Sequence, residues 1–187
     1  MPTHDSPPQH QSQPAAPALV EVLDPARRVV AVLPAGEVAR QKLCHRSVTV
    51  LLFDGQGRLA LRKKPKTPGG RPVRWDVPVQ GPVLAGESVQ DAATRALKAE
   101  LGIHAERLRP VLELPAQPEN NNEFLHVFSL ARSEQAPPTG QEREGADYFF
   151  APEELDCLLR DFRELVSPRF ILLAEAMSLK GLWRRRP

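Results

Sequence analysis

Two glutamates, one arginine and a basic loop are the residues of this 187-residue chain whose types and spacing could do chemistry. Glu87 and Arg95 flank the first half of the segment Ser88 to Leu101, and Glu100 stands near its end. The segment reads as a helix. Ser88 can cap it, Asp91 completes a capping-box-like pair, and Gly102 supplies the stop. At ~100° per residue, Ala92, Ala96, Ala99 and Ile103 fall on one side of Glu100, and Ala93, Leu97 and Leu101 on the other. Glu100 is therefore expected near the middle of a broad apolar arc. A carboxylate buried alone there would be costly or would protonate, so it needs a metal ion, a basic group or backbone donors. Arg62, Lys63, Lys64, Lys66, Arg71 and Arg74 form a basic stretch that could hold a diphosphate, or could be a solvated charged loop.

The elements that must position these groups are legible from periodicity and turn chemistry. Ala18 to Asp24 and Arg28 to Leu33 read as two short strands around the turn Asp24-Pro25-Ala26-Arg27. Ser47 to Phe53 is β-branched and apolar, Asp54-Gly55-Gln56-Gly57 breaks it, and Arg58 to Arg62 alternates, which predicts a β-hairpin. Lys63 to Arg74 is a Pro/Gly-rich loop, and Trp75 to Val79 resumes as a strand. Leu108 to Leu114, Phe124 to Leu130 and Asp147 to Ala151 are further strand candidates. Pro152-Glu153-Glu154 opens one C-terminal helix, and Ser167-Pro168 opens another with Ser as cap and Pro at the first helical position. Strands punctuated by a few helices predict an α/β (α+β) domain, a mixed β-sheet covered by helices, over residues 18–187. Residues 1–17, rich in Pro, Gln, Ser and His, are expected to be a disordered tail.

The segment Gly81 to Ile103 resembles the Nudix box, G-x5-E-x7-R-E-U-x-E-E-x-G-U with U apolar. Gly81, Glu87, Arg95, Leu97, Glu100, Gly102 and Ile103 fit it at the correct spacing. Ala96 and Ala99 stand where the pattern has glutamates, so the box is degenerate. The resemblance implies a Nudix-type α/β/α sandwich and a hydrolase that cleaves a nucleoside diphosphate-linked or other diphosphate-containing small molecule with Mg2+ or Mn2+. Such a reaction needs charge neutralised on phosphate oxygens and a water activated, and a divalent ion on hard oxygen ligands does both. It implies Glu100 and Glu87 as the catalytic carboxylates. Glu100 and the carbonyl near Gly81 would hold metal, and Glu87 with Arg95 would form a structural ion pair. Arg62, Lys64 and Arg74 could bind the substrate's phosphates. The loss of two acids equally motivates a catalytically silent Nudix domain that binds a nucleotide, a diphosphate or a protein partner.

Cys44-His45-Arg46-Ser47 before a strand, Trp75 opening the next, and Asn120-Asn121-Asn122-Glu123 are similar to the isopentenyl-diphosphate-isomerase-like branch. The isomerase uses a Cys five residues after that tryptophan and a metal-binding His seven after it. Gln80 and Pro82 occupy those positions here, so isomerase chemistry is not expected. His45 matches one isomerase metal ligand, and Glu123 matches an acidic residue near that metal, a possible second ligand beside Glu100. A net charge of +2 is too small to argue for nucleic acid. No run is apolar enough for a membrane span, no secretory signal is visible, and two cysteines make no disulfide framework, so a cytoplasmic setting is expected. A homodimer is common in the family, and the two N-terminal strands could help form one.

Overall fold

The computed structural model describes residues 17–64, 74–130 and 147–179. Its strands are β1 (Leu19–Leu23), β2 (Val29–Pro34), β3 (His45–Leu52), β4 (Leu59–Lys64), β5 (Arg74–Asp76), β6 (Val79–Pro82), β7 (Arg109–Leu114), β8 (Glu123–Leu130) and β9 (Asp147–Phe150). Its helices are α1 (Ala35–Gln41), α2 (Val89–Leu101), α3 (Pro152–Asp161) and α4 (Pro168–Leu179). Residues 1–16 of the expected tail, and Lys66 and Arg71 of the basic stretch, lie outside the described residues.

The larger sheet runs β2-β1-β3-β8-β7, with β6 also paired to β3. The smaller runs β5-β4-β9. β3 and β8 are parallel, in register from His45↔Glu123 to Leu52↔Leu130, and the other pairings are antiparallel. The larger sheet is therefore mixed. Alternation along the strands sends residues to two cores. Val48, Val50, Leu52, Ala60, Val79 and Phe128 pack with Ala92, Ala93, Ala96 and Leu97 of α2. Leu51, Leu59, Leu61, Leu125 and Val127 pack with Leu155 and Leu158 of α3 and with Phe170, Leu173 and Met177 of α4. Helices thus cover both faces, which is the α/β/α sandwich.

Three local features depart from the sequence reading. The expected hairpin of Ser47 to Phe53 with Arg58 to Arg62 reduces to a turn closed by the single bridge Phe53↔Leu59, because β3 and β4 then enter different sheets. The stretch expected as one strand from Trp75 to Val79 is two strands, β5 and β6, which join different sheets. Pro78 separates them, and proline cannot donate to a ladder. Helix α1 was not foreseen, because its seven residues carry only one buried apolar side chain, Val38, too short a stretch to display a period. β2 is a sheet edge on which Val29, Val30 and Val32 are exposed.

Helix α2 is held at its start as its residues dictate. Ser88 Oγ accepts from the Asp91 N–H at 3.1 Å, and Gly102, at φ 69°, ends the helix with its N–H on the Lys98 carbonyl at 2.8 Å. Arg95 donates through Nε and Nη2 to the two oxygens of Glu87, at 2.8 and 2.9 Å, and through Nη2 to the Pro82 carbonyl at 2.8 Å. Glu87 Oε2 also accepts from the Leu84 N–H at 3.0 Å. This network ties α2 to the end of β6. The Arg95 hydrogen bond, above all, holds the Glu87 carboxyl below its ordinary pKa, aided by Leu84 and opposed by burial.

A depressed carboxylate pKa stabilises the fold above the unfolded value of about 4.3, and that contribution is lost as pH falls through the folded value. Glu87→Gln should therefore cost on the order of 1–2 kcal/mol at pH 7, a charged hydrogen bond discounted for partial exposure. The deficit should shrink as pH falls below the unfolded value of about 4.3 and should vanish once pH has passed through the lowered folded value, where the native Glu87 is itself protonated. Urea denaturation of both proteins at pH 7 and at pH 3 measures this, and an equal deficit at both pH values would contradict it.

Candidate active-site cleft

The register of β4 decides which charged groups share a face of the sheet. Ala60 belongs to the α2 core, whereas Leu59 and Leu61 belong to the α3/α4 core. Arg62 and Lys64 follow Ala60 in alternation and face the α2 side. Arg62 stands opposite Asp76 on β5 and Asp147 on β9, and Lys64 stands opposite Arg74, so all of these share that face.

Arg62 is the centre of this charged cluster. Its Nε donates to Asp147 Oδ1 at 2.7 Å and its Nη2 to Asp147 Oδ2 at 3.3 Å. Its Nη1 donates to Glu100 Oε2 at 3.1 Å. The Asp147 hydrogen bond is the main cause that raises the Arg62 pKa, with burial opposing it and the Asp147 and Glu100 charges adding to it. Lys64 Nζ pairs with Asp76 Oδ2 at 2.7 Å and reaches Gln80 Oε1 at 3.4 Å. Arg74 has its Nε buried without a hydrogen-bond partner.

Glu100 therefore has a partner, and it is a basic group. Its side chain is 43% exposed, not buried in the apolar arc that the helical wheel predicts. Only Ala92, Ala93, Ala96 and Leu97 of α2 are buried, and Lys98, Ala99 and Glu100 are exposed. A helical wheel gives angles but not where the helix passes beyond the sheet beneath it. Ala96 is 3% exposed, and a Cβ built on Gly81 would lie 3.7 Å from its methyl carbon. Gly81 thus lies in β6 beneath α2, one helical turn before Glu100, and is not among the glycines with positive φ. Glu87 sits at the opposite end of the helix, roughly 20 Å of helical rise from Glu100, in the ion pair with Arg95.

Glu123 does not join Glu100. It follows the alternation of Leu125 and Val127, so it faces α4, on the other side of the sheet from α2. Arg169 Nη1 pairs with Glu123 Oε2 at 2.5 Å, and Arg169 Nη2 donates to Thr49 Oγ1 at 3.0 Å and to Ser47 Oγ at 3.4 Å. His45 is buried on the same side, its Nδ1 2.8 Å from the Leu43 carbonyl. Pro82 pairs with Ser47, and the Gln80 amide donates to the Val77 carbonyl at 2.7 Å. Asp147 is the site residue that sequence reading missed. It opens a short strand far beyond the helix, with no motif around it, and only the β4–β9 register brings it to Arg62. Among the described residues, no cluster of three or more His, Cys, Asp or Glu side chains could hold a metal ion, and no helix is long and apolar enough to cross a membrane.

The comparisons agree with this architecture. An uncharacterized Nudix hydrolase of Pseudomonas aeruginosa is 31% identical over 137 residues, covering 73% of this chain and 80% of that protein. An isopentenyl-diphosphate Delta-isomerase of Mycolicibacterium vanbaalenii is 29% identical over 157 residues, covering 80% of this chain and 86% of that one. A crystal structure from Deinococcus radiodurans superposes with a TM-score of 0.64 at 24% identity, over 84% of this chain and 98% of that chain, a likeness of fold. A MutT protein structure from Methanosarcina mazei gives 0.55 at 17% identity, over 72% and 93%. Residues 44–171 match the NUDIX domain, and because that match spans more than half of the sequence, this chain belongs to the Nudix family.

Proposed function

We propose that this chain is a slow, divalent-metal-dependent Nudix-type hydrolase of a diphosphate-containing small molecule, such as a nucleoside diphosphate linked to another group. The observation that carries this reading is the convergence of Glu100, from α2, and Asp147, from β9, on one cation, the Arg62 guanidinium. Two carboxylates from different elements that meet at one positive charge suit magnesium, which is commonly bound by one or two carboxylates plus substrate phosphates rather than by an all-protein cage. Glu100 and Asp147 would hold the ion, with the Gly81 carbonyl one turn away on the same side of α2. The ion would supply charge neutralisation at the phosphate oxygens and an activated water. Lys64 and Arg74 face the same side as Arg62 and would take phosphate oxygens, Arg74 through a guanidinium whose Nε has no partner. Such forked donors match phosphate geometry.

Ala96 and Ala99 make the reaction slow. Each missing preorganised electrostatic group typically costs ~10²–10³-fold in rate. A second reading, a binding module without turnover, is favoured by the same salt bridges, because Arg62 already neutralises both acids. Isomerase chemistry is not part of either reading, since Gln80 and Pro82 stand where that reaction needs a thiol and an imidazole.

Hydrolysis of dinucleotides and nucleoside diphosphate sugars with magnesium should be detectable for the natural protein and should fall at least ~10-fold in Glu100→Ala and Asp147→Asn. A natural rate no higher than that of Glu100→Ala would leave the binding reading, which a ligand-dependent rise in Tm would then support. The two lost acids should behave differently when restored. Ala99→Glu adds a carboxylate at an exposed position and should raise turnover roughly 10-fold or more. Ala96→Glu forces a carboxylate against Gly81 in a buried position and should destabilise the fold by about 2–4 kcal/mol, read in urea melts. A stable Ala96→Glu protein would show that α2 can lift from β6.

A further inference from the structure

We propose that Arg62 is a built-in counter-cation that closes the acid pair to free divalent ions and yields it only when an anionic substrate arrives. This rests on the proposed reading of the cleft. Three guanidinium nitrogens are engaged: Nε and Nη2 with Asp147, and Nη1 with Glu100. The point where the two carboxylates meet is therefore already occupied by a positive charge. A divalent ion arriving alone must either displace that charge or be repelled by it.

The two arms of the bridge differ. The Asp147 side chain is 8% exposed and is gripped by two nitrogens, whereas Glu100 is 43% exposed and held by one. The Glu100 arm is the one that opens. A diphosphate offers the guanidinium the same forked acceptor geometry as a carboxylate. Lys64 and Arg74, on the same face, would bring it within reach. Once Arg62 Nη1 turns to phosphate, the Glu100 carboxylate is freed while Asp147 stays held, and the affinity of the site for a divalent ion rises. Anion and cation then bind with positive coupling, and by linkage each raises the other's affinity by the same factor.

Manganese binding in anion-free buffer, followed by electron paramagnetic resonance, tests this without any turnover. The natural protein should bind Mn2+ weakly. Arg62→Gln should bind it roughly 5–150-fold more tightly, the usual span of such couplings, and adding Glu100→Gln to that variant should remove the gain. Equal Mn2+ affinity in the natural protein and in folded Arg62→Gln overturns the proposal. If Arg62→Gln does not fold, Arg62→Met, which keeps an apolar stem without the charge, decides the matter: a gain in Mn2+ affinity is expected, and no gain overturns the proposal. In the reciprocal arm, inorganic pyrophosphate with EDTA should raise the Tm of the natural protein more than that of the Arg62 variant, and an equal rise overturns it. A gain of Mn2+ affinity with no hydrolysis of any substrate supports the counter-cation and overturns only the hydrolase reading.

Discussion

The pairing of Arg62 with Asp147 and Glu100 ties together the parts of the molecule on which the cleft depends. It joins the smaller sheet to the end of α2, and it does so with charges that are partly withdrawn from water. Arg62 and Asp147 side chains are 22% and 8% exposed. A buried ion pair adds little net stability over apolar residues of the same shape, but removing one member strands the other and costs several kcal/mol. The bridge therefore constrains more than it stabilises. It sets where the last turn of α2 lies relative to β4.

The small residues of α2 answer to the same constraint from the other side. Ala92, Ala93 and Ala96 let the helix lie close on β3 and β6, with the Ala96 methyl against the backbone of Gly81. That close seating brings Glu100 within reach of Arg62. It also leaves no space for a longer side chain at Ala96 without movement of the helix. Ala96 is thus a packing solution at its place on the helix.

Much of this was legible in the residues. The caps of α2 at Ser88 and Gly102 and the turn at Asp54 follow from local chemistry, whereas the pair of Glu87 with Arg95 and the α/β/α arrangement follow from the family resemblance. The electrostatic partners of the cleft were not. Glu100's neighbour comes from β4 and Arg62's main partner from β9, and only strand register brings such distant residues together. Glu123 shows the same limit in reverse. Its position in the chain suggested a partner for Glu100, but a strand's two-residue alternation turned it toward α4, where Arg169 takes it up. The Pro78 break between β5 and β6 could have been read from the sequence, since proline interrupts a ladder.

The parallel pairing of β3 with β8 carries an implication for how the chain reaches this state. Everything from β4 to β7 intervenes between the two partners, and the polar seal over their ends comes later still, because Arg169 meets Thr49 across 120 positions of sequence. Contacts that distant are slow to form, since a long loop must close before they repay its entropy. During synthesis the β3, β6 and α2 unit can assemble from neighbouring segments, while Ser47, Thr49 and Glu123 wait uncovered until α4 has left the ribosome. The newborn protein would thus spend its first moments with half its sheet bare, in the form most open to chaperones and most prone to self-association.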